Sequence, residues 1–182
     1  LLMTKMAELA IRNKNSIKII SDLFSEEQCH KIWKLPKVQK WYYGNLSNAK
    51  VDSIPFWKIK LDDDSFYSEE LFETIKNKVD KSDLELKRVY ANGHLFGTQG
   101  QVHQDHTENG HYTFLYYGNP EWYNEWGGST IWILDNDGNH YNYYPKPNTG
   151  VFFPSNLYHY AEPTTRLFYG LRVTIAWKLQ VT

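Results

Sequence analysis

His103-Gln104-Asp105 and the distant His159 supply two imidazoles and one carboxylate. Around a divalent iron such a set covers one face and leaves positions open for small ligands. His103 and Asp105 are two residues apart, and successive side chains of an extended segment point to opposite faces. Both can therefore face one cavity while Gln104 faces away. His159 must then arrive from another part of the fold. A His-x-Asp pair by itself is weak evidence, because seven histidines give many chance pairs. His106 and His111 lie close enough to rival His103, whereas His94 and His140 fall in turn-like sequence and read as solvated. Further along, Arg172 and Thr174 are again two apart, in the run Gly170-Leu171-Arg172-Val173-Thr174. A guanidinium can donate two parallel hydrogen bonds to one carboxylate, and a hydroxyl can add another. The alternative for Arg172 is a sheet-surface arginine.

Strands must position these groups, and the sequence offers them. From about residue 84 to 179 it reads as short runs of aromatic and β-branched residues, at 84–91, 111–117, 129–134, 141–144, 150–153 and 171–179. Gly, Asn, Asp or Pro bound each run. Asp135-Asn136-Asp137-Gly138-Asn139 has hairpin-turn composition, and 145–150 forms a second turn. Before this zone, Ser25-Glu26-Glu27-Gln28 has the form of a capping box and opens a helix to about Leu35. Ser68 reads as the cap of a second helix carrying Leu71, Phe72, Ile75 and Val79 at helical spacing. Between the helices, 41–61 alternates enough for one or two strands. The expected fold is mainly β (α+β): a jelly roll, or double-stranded β-helix of the cupin type, with N-terminal helices packed on one face.

The chain has 182 residues and a net charge of -1, with 7 Trp, 14 Tyr and 9 Phe. Length suits a single domain, read as 16–182, with 1–15 an N-terminal extension or a leftover of preparation. The charge balance points to neither nucleic acid nor polyanion partners. Cys29 is the single cysteine; it excludes an internal disulfide and reads as helix packing. No apolar run has the length of a membrane span, and 1–12 lacks the ordered regions of a signal peptide. The expectation is therefore a cytoplasmic protein with no membrane partner.

The order of the motifs resembles the 2-oxoglutarate/Fe(II) oxygenase superfamily, and within it the prolyl 4-hydroxylase-like branch of microbes and phages. Arg88-Val89-Tyr90-Ala91-Asn92-Gly93 is similar to the tyrosine strand before the family's metal motif. His103-Gln104-Asp105 matches its His-x-Asp, and Tyr112 to Tyr117 the strand that follows. Trp126-Gly127-Gly128-Ser129-Thr130 matches paired glycines opening the next strand. Pro145 through Phe153 resembles the turn and strand before the distal histidine. His159-Tyr160-Ala161-Glu162-Pro163 matches that histidine and its trailing proline, and Gly170 to Thr174 the final strand. One departure stands out. The family's basic residue follows its distal histidine by about ten positions, whereas Arg172 follows His159 by thirteen. Thr164 to Tyr169 holds the extra length, and Arg166 is a rival anchor.

The resemblance implies an enzyme that uses Fe(II), 2-oxoglutarate and dioxygen. It would hydroxylate an unactivated C–H bond, releasing succinate and CO₂. His103, Asp105 and His159 would hold the metal, and no other catalytic side chain is required. Arg172, Thr174 and Tyr90 would hold 2-oxoglutarate, although Tyr90 reads equally as core. Trp122, Tyr123 and Trp126 would flank the substrate entrance, or else simply anchor their loop. The segment 98–102, between Gly97 and Val102, reads as a mobile lid. The substrate would be a protein or peptide side chain, proline first, or a small molecule. A cupin-like module that binds metal or ligand without turnover is the alternative, and the Arg172–Thr174 strand argues against it.

Overall fold

The computed structural model describes residues 2–38, 40–47 and 54–182. Among the described residues ten strands form two antiparallel sheets. They are β1 (Lys18–Ser21), β2 (Tyr42–Asn45), β3 (Phe56–Lys60), β4 (Leu84–His94), β5 (His111–Tyr117), β6 (Thr130–Ile133), β7 (His140–Tyr143), β8 (Thr149–Pro154), β9 (His159–Ala161) and β10 (Arg172–Val181). The larger sheet has the order β1-β8-β5-β10-β4-β3-β2, and the smaller β7-β6-β9. This is the expected jelly roll, with four α-helices among the described residues: α1 (Leu2–Asn15), α2 (Glu26–Trp33), α3 (Leu35–Val38) and α4 (Leu71–Val79).

Strand β10 shows how the sequence sets the layers. Val173, Ile175, Trp177 and Leu179 join a core built with Leu23, Phe24 and Cys29 before and within α2, and Leu71 and Ile75 of α4. The alternate residues Arg172, Thr174, Ala176 and Lys178 face the other way and line a cavity. Both faces are covered, so eight successive residues from Arg172 are buried. A polar residue recurring every second place on such a strand marks the face that carries chemistry.

Several local expectations hold and others are refined. Ser25 caps α2, with Gln28 reaching back to close the capping box. The region 41–61 gives two strands, β2 and β3. Residues 48–53 lie outside the described residues. Ser68 does not cap a helix: a π-helical turn, Phe66–Glu70, runs directly into α4. The turn starts instead at Asp64, whose carboxylate accepts the Phe66 N–H at 3.0 Å; a carboxylate two residues upstream competes well for that orphan donor. The segment 2–15, read as an extension, is helical. Asn13 donates to the Leu134 carbonyl at 2.7 Å, and Ala10 packs on a second core around Trp132 and Phe153. Among the described residues no helix is long and apolar enough to cross a membrane.

The turn before β8 is fixed by Asn148, which accepts from the Phe24 N–H at 2.8 Å and donates to its carbonyl at 2.9 Å. Gly150 then lies against Phe114: a Cβ there would stand 2.3 Å from the ring, so only glycine lets β8 approach β5.

Candidate metal and cosubstrate site

The segment carrying His103 crosses the mouth between the sheets and pairs with β9. His103 N–H donates to the His159 carbonyl at 3.0 Å, and His159 N–H returns the bond at 2.9 Å. Asp105 N–H donates to the Ser155 carbonyl at 2.9 Å. Three side chains separated in sequence are thus locked together by backbone. One ligand atom from each of His103, Asp105 and His159 lies within 4.8 Å of the others. His103 Nε2 stands 3.4 Å from Asp105 Oδ1, and His159 Nε2 stands 3.4 Å from Oδ2. Each histidine has its Nδ1 against a carbonyl, Gln101 O at 2.7 Å and Leu157 O at 2.8 Å. A carbonyl only accepts, so both Nδ1 atoms carry the proton and both Nε2 lone pairs face the centre. This donor set suits a divalent iron.

Asp105 has further partners that sequence reasoning missed. Thr113 Oγ1 donates to its Oδ2 at 2.7 Å, and Lys178 forms an ion pair with the same oxygen. Burial alone would raise the Asp105 pKa; Lys178 and His159 overcome it and hold the carboxyl well below the usual range. Burial likewise opposes the Lys178 charge, and Asp105 outweighs it and raises that pKa. Lys178 lies at the same two-residue spacing as Arg172 and Thr174, which is the signal that could have found it.

The triad opens into a cavity of about 260 Å³. Arg172 stands in its wall, 1% exposed. Its Nε donates to the Gly128 carbonyl at 2.7 Å and its Nη2 to Thr130 Oγ1 at 3.3 Å. Burial lowers its pKa to about 10, so it stays charged at neutral pH. Among the described residues it has no ion pair. A buried guanidinium without a carboxylate is costly unless a ligand supplies one, which fits a dicarboxylate cosubstrate. Thr174 and Tyr90 line the same cavity, whereas Arg166 sits in an exposed turn away from it. Of the two arginines, geometry therefore favours Arg172. The paired glycines serve this arginine: Gly128 has φ +71, and a Cβ on it would lie 3.1 Å from Arg172 Cδ.

His94 corrects the expectation of a solvated turn. It ends β4, is 4% exposed, and stacks on Phe56 with ring centroids 4.5 Å apart. It lines the cavity, and among the described residues both its ring nitrogens lack hydrogen-bond partners, as does Asn92 Oδ1. Such orphaned polar atoms beside Arg172 again fit a polar ligand. Burial, with Arg172 nearby, pushes the His94 pKa down to about 3. The unfolded chain therefore binds a proton here below about 6.5 that the folded chain refuses until about 3. Stability is full above the unfolded value and falls with acid across that window, by up to about 1.4 kcal/mol per pH unit. Urea titrations from pH 6.5 to pH 4 are expected to show this slope reduced in His94→Gln; an unchanged slope would contradict it.

Other expectations change. Trp122, Tyr123 and Trp126 are not brought to the cavity. Trp122 and Trp126 pack on each other and on Phe168, at 5.5, 4.6 and 5.0 Å between ring centroids. Trp122 Nε1 donates to the Gly127 carbonyl at 3.0 Å. This aromatic cluster braces the glycine turn. The expected lid is pinned in its middle, where Gly100 N–H donates to the Ala161 carbonyl at 3.0 Å. His106 and His111 stack on each other at 3.5 Å and group with the exposed Glu108, apart from the triad.

Residues 88–177, about half the chain, match the family model of the 2OG-Fe(II) oxygenase superfamily. No curated protein matches in sequence. Among solved structures, a Pseudomonas putida prolyl-4-hydroxylase is similar at 13% identity, with TM-score 0.68 and coverage of 97% of this chain and 99% of that one. A viral collagen prolyl hydroxylase from Paramecium Bursaria Chlorella virus-1, solved as a 2OG complex, has 13% identity, TM-score 0.64 and coverage of 92% and 97%. HygX from Streptomyces hygroscopicus, with nickel, 2-oxoglutarate and hygromycin B bound, has 10% identity, TM-score 0.68 and coverage of 96% and 87%. At these identities the structures share the fold.

Proposed function

Because this chain belongs to the 2OG-Fe(II) oxygenase superfamily, we propose that it hydroxylates an unactivated C–H bond on a protein or peptide side chain, with proline the leading candidate. Its cofactors are Fe(II), 2-oxoglutarate and dioxygen. Together these supply the oxidising power for hydroxylation, with succinate and CO₂ released. His103, Asp105 and His159 would hold the iron. Their backbone bridge fixes the geometry, and the Nδ1–carbonyl bonds fix the tautomers. Lys178 and Thr113 keep Asp105 ionised and oriented. Arg172 and Thr174 would take the distal carboxylate of 2-oxoglutarate, with Tyr90 further along the same wall. Burial removes competing water, which strengthens every charge contact inside. No side chain need act as nucleophile.

One observation supports this reading above the others. Arg172 is a buried cation with no ion pair among the described residues, in the cavity that the His-Asp-His cluster opens into. A module that only bound metal would gain nothing from that costly arrangement. Proline leads because two of the three similar folds described above are prolyl hydroxylases.

The test incubates the protein with Fe(II), 2-oxoglutarate and a panel of proline-containing peptides. Succinate and peptide mass are then followed together. The expected result is one oxygen atom added to proline per succinate formed. Succinate release with oxidation only at other residues would overturn the choice of proline and leave the hydroxylase standing.

A further inference from the structure

The cavity carries more positive charge than its cofactors consume. Among the described residues four cationic side chains line it, Lys58, Arg88, Arg172 and Lys178, against one carboxylate, Asp105. A divalent iron and a 2-oxoglutarate dianion would cancel each other, leaving three positive charges in surplus. This concentration is local, because the whole chain has a net charge of -1.

Two of the four cations have no role in the roles assigned above. Lys58 and Arg88 stand on neighbouring strands β3 and β4 and flank the Tyr90 ring, at 4.1 and 5.4 Å from its centroid. Neither forms an ion pair among the described residues. Lys58 donates a long hydrogen bond to Asn45 Oδ1, at 3.5 Å. Burial lowers the Lys58 pKa, and the charges of Arg88, Lys178 and Lys60 lower it further. Asp62 offsets this repulsion only in part, so an anion that binds between Lys58 and Arg88 is favoured.

The charge continues outward. Lys58 and Asn45 also line an adjoining groove of about 630 Å³ with Lys40, Lys60, Tyr42 and Tyr43. Both tyrosines are 61% exposed. The groove follows β2, the edge strand of the larger sheet among the described residues, and an edge strand can pair with an extended chain. A small anion would use only the inner cavity, whereas an extended peptide would occupy cavity and groove together.

Resting on the hydroxylase reading above, we propose that the substrate is an acidic peptide, bound with Asp or Glu beside the reacting residue at Lys58 and Arg88. Its backbone lies along β2, and Tyr42 and Tyr43 contact its side chains.

The test uses protein loaded with Mn(II) and 2-oxoglutarate without oxygen, so that binding is read apart from turnover. Calorimetry compares three peptides that differ only in the residues flanking a central proline: Glu, Gln or Lys. The Glu peptide is expected to bind about tenfold more tightly than the Lys peptide at low salt, with the ratio shrinking as salt is added. The double variant Lys58→Met/Arg88→Met is expected to lose the preference, with peptide affinity changing more than 2-oxoglutarate affinity. Equal affinities, no binding of the Glu peptide, or tighter binding of an oligothymidylate would overturn the proposal while the hydroxylase reading stands. Failure of 2-oxoglutarate itself to bind the Mn(II) protein would instead remove that reading, and the acidic-peptide proposal with it.

Discussion

Asp105→Ala is expected to abolish divalent-metal binding and, separately, to destabilise the metal-free protein by about 3 kcal/mol. The first effect follows from losing the single carboxylate of the triad. The second follows from Lys178, which is 9% exposed and pairs with Asp105. Removing the carboxylate leaves an ammonium buried beside Arg88 and Lys58, with only the neutral hydroxyls of Thr113 and Tyr90 as hydrogen-bond partners among the described residues. For a domain of this size the loss corresponds to roughly 10 °C in melting midpoint. Lys178→Met in the Asp105→Ala background is expected to recover most of the stability and none of the metal binding. Thermal melts and metal titrations of the single and double variants separate the two effects. Recovery of metal binding in the double variant would contradict the role given to Asp105. Equal melting of the single and double variants would contradict the ion pair as the cause.

Arg172→Met is expected to weaken 2-oxoglutarate binding by at least about 100-fold without lowering the stability of the ligand-free protein. Truncating one partner of a buried, hydrogen-bonded charge pair commonly costs this much affinity. The stability expectation has the opposite sign because, among the described residues, the buried cation hydrogen-bonds only neutral groups, Gly128 O and Thr130 Oγ1, and has no ion pair, Glu162 acting on it only at a distance. An apolar side chain of similar length removes a desolvation cost that the ligand otherwise offsets. Arg172→Lys keeps the charge and loses the planar fork, so an intermediate loss of about tenfold is expected. Calorimetric titration of the three proteins, each with Mn(II), gives the affinities, and urea unfolding gives the stabilities. A strongly destabilised Arg172→Met with undiminished 2-oxoglutarate affinity would assign the arginine to structure alone.

The metal cluster was legible because its signal is local in type and ordered in sequence. His103 and Asp105 share a face at two-residue spacing, and His159 sits in the motif that ends the following strands. That Arg172 and Thr174 face one cavity was legible through the same spacing. That reasoning extends two more steps along β10 to Lys178, but the intervening Ala176 and the apolar partners Ile175 and Trp177 make the strand read as core. The cavity role of His94 was hidden because β4 continues to His94, past the 84–91 run read as strand, and so carries Asn92 and His94 inward. Asn92-Gly93 looks like a turn in sequence. In the fold Gly93 faces Trp41 and Leu171 at about 3 Å from where a Cβ would be, and tertiary packing overrides the local preference. The aromatic loop 122–126 illustrates the opposite case. Its composition suits a binding surface, yet Phe168, distant in sequence, completes an aromatic cluster that braces the glycines beside Arg172. No local pattern reveals a partner supplied from more than forty residues away.

The cationic lining was the least legible feature. Lys58, Arg88, Arg172 and Lys178 are spread over three strands that become neighbours only through the sheet order β10-β4-β3. Summed over the whole chain their charge disappears into a balance near zero.

The most direct test of the central claim is a visible spectrum taken without oxygen, as Fe(II) and then 2-oxoglutarate are added to the purified protein. A metal-to-ligand charge-transfer band that grows with 2-oxoglutarate, and is absent when Arg172→Met is titrated over the same concentrations, is the expected result. It would place iron on the His-Asp-His cluster and the cosubstrate between that iron and Arg172. Iron bound with no new band at saturating 2-oxoglutarate would contradict the cosubstrate site and leave a metal-binding jelly roll in its place.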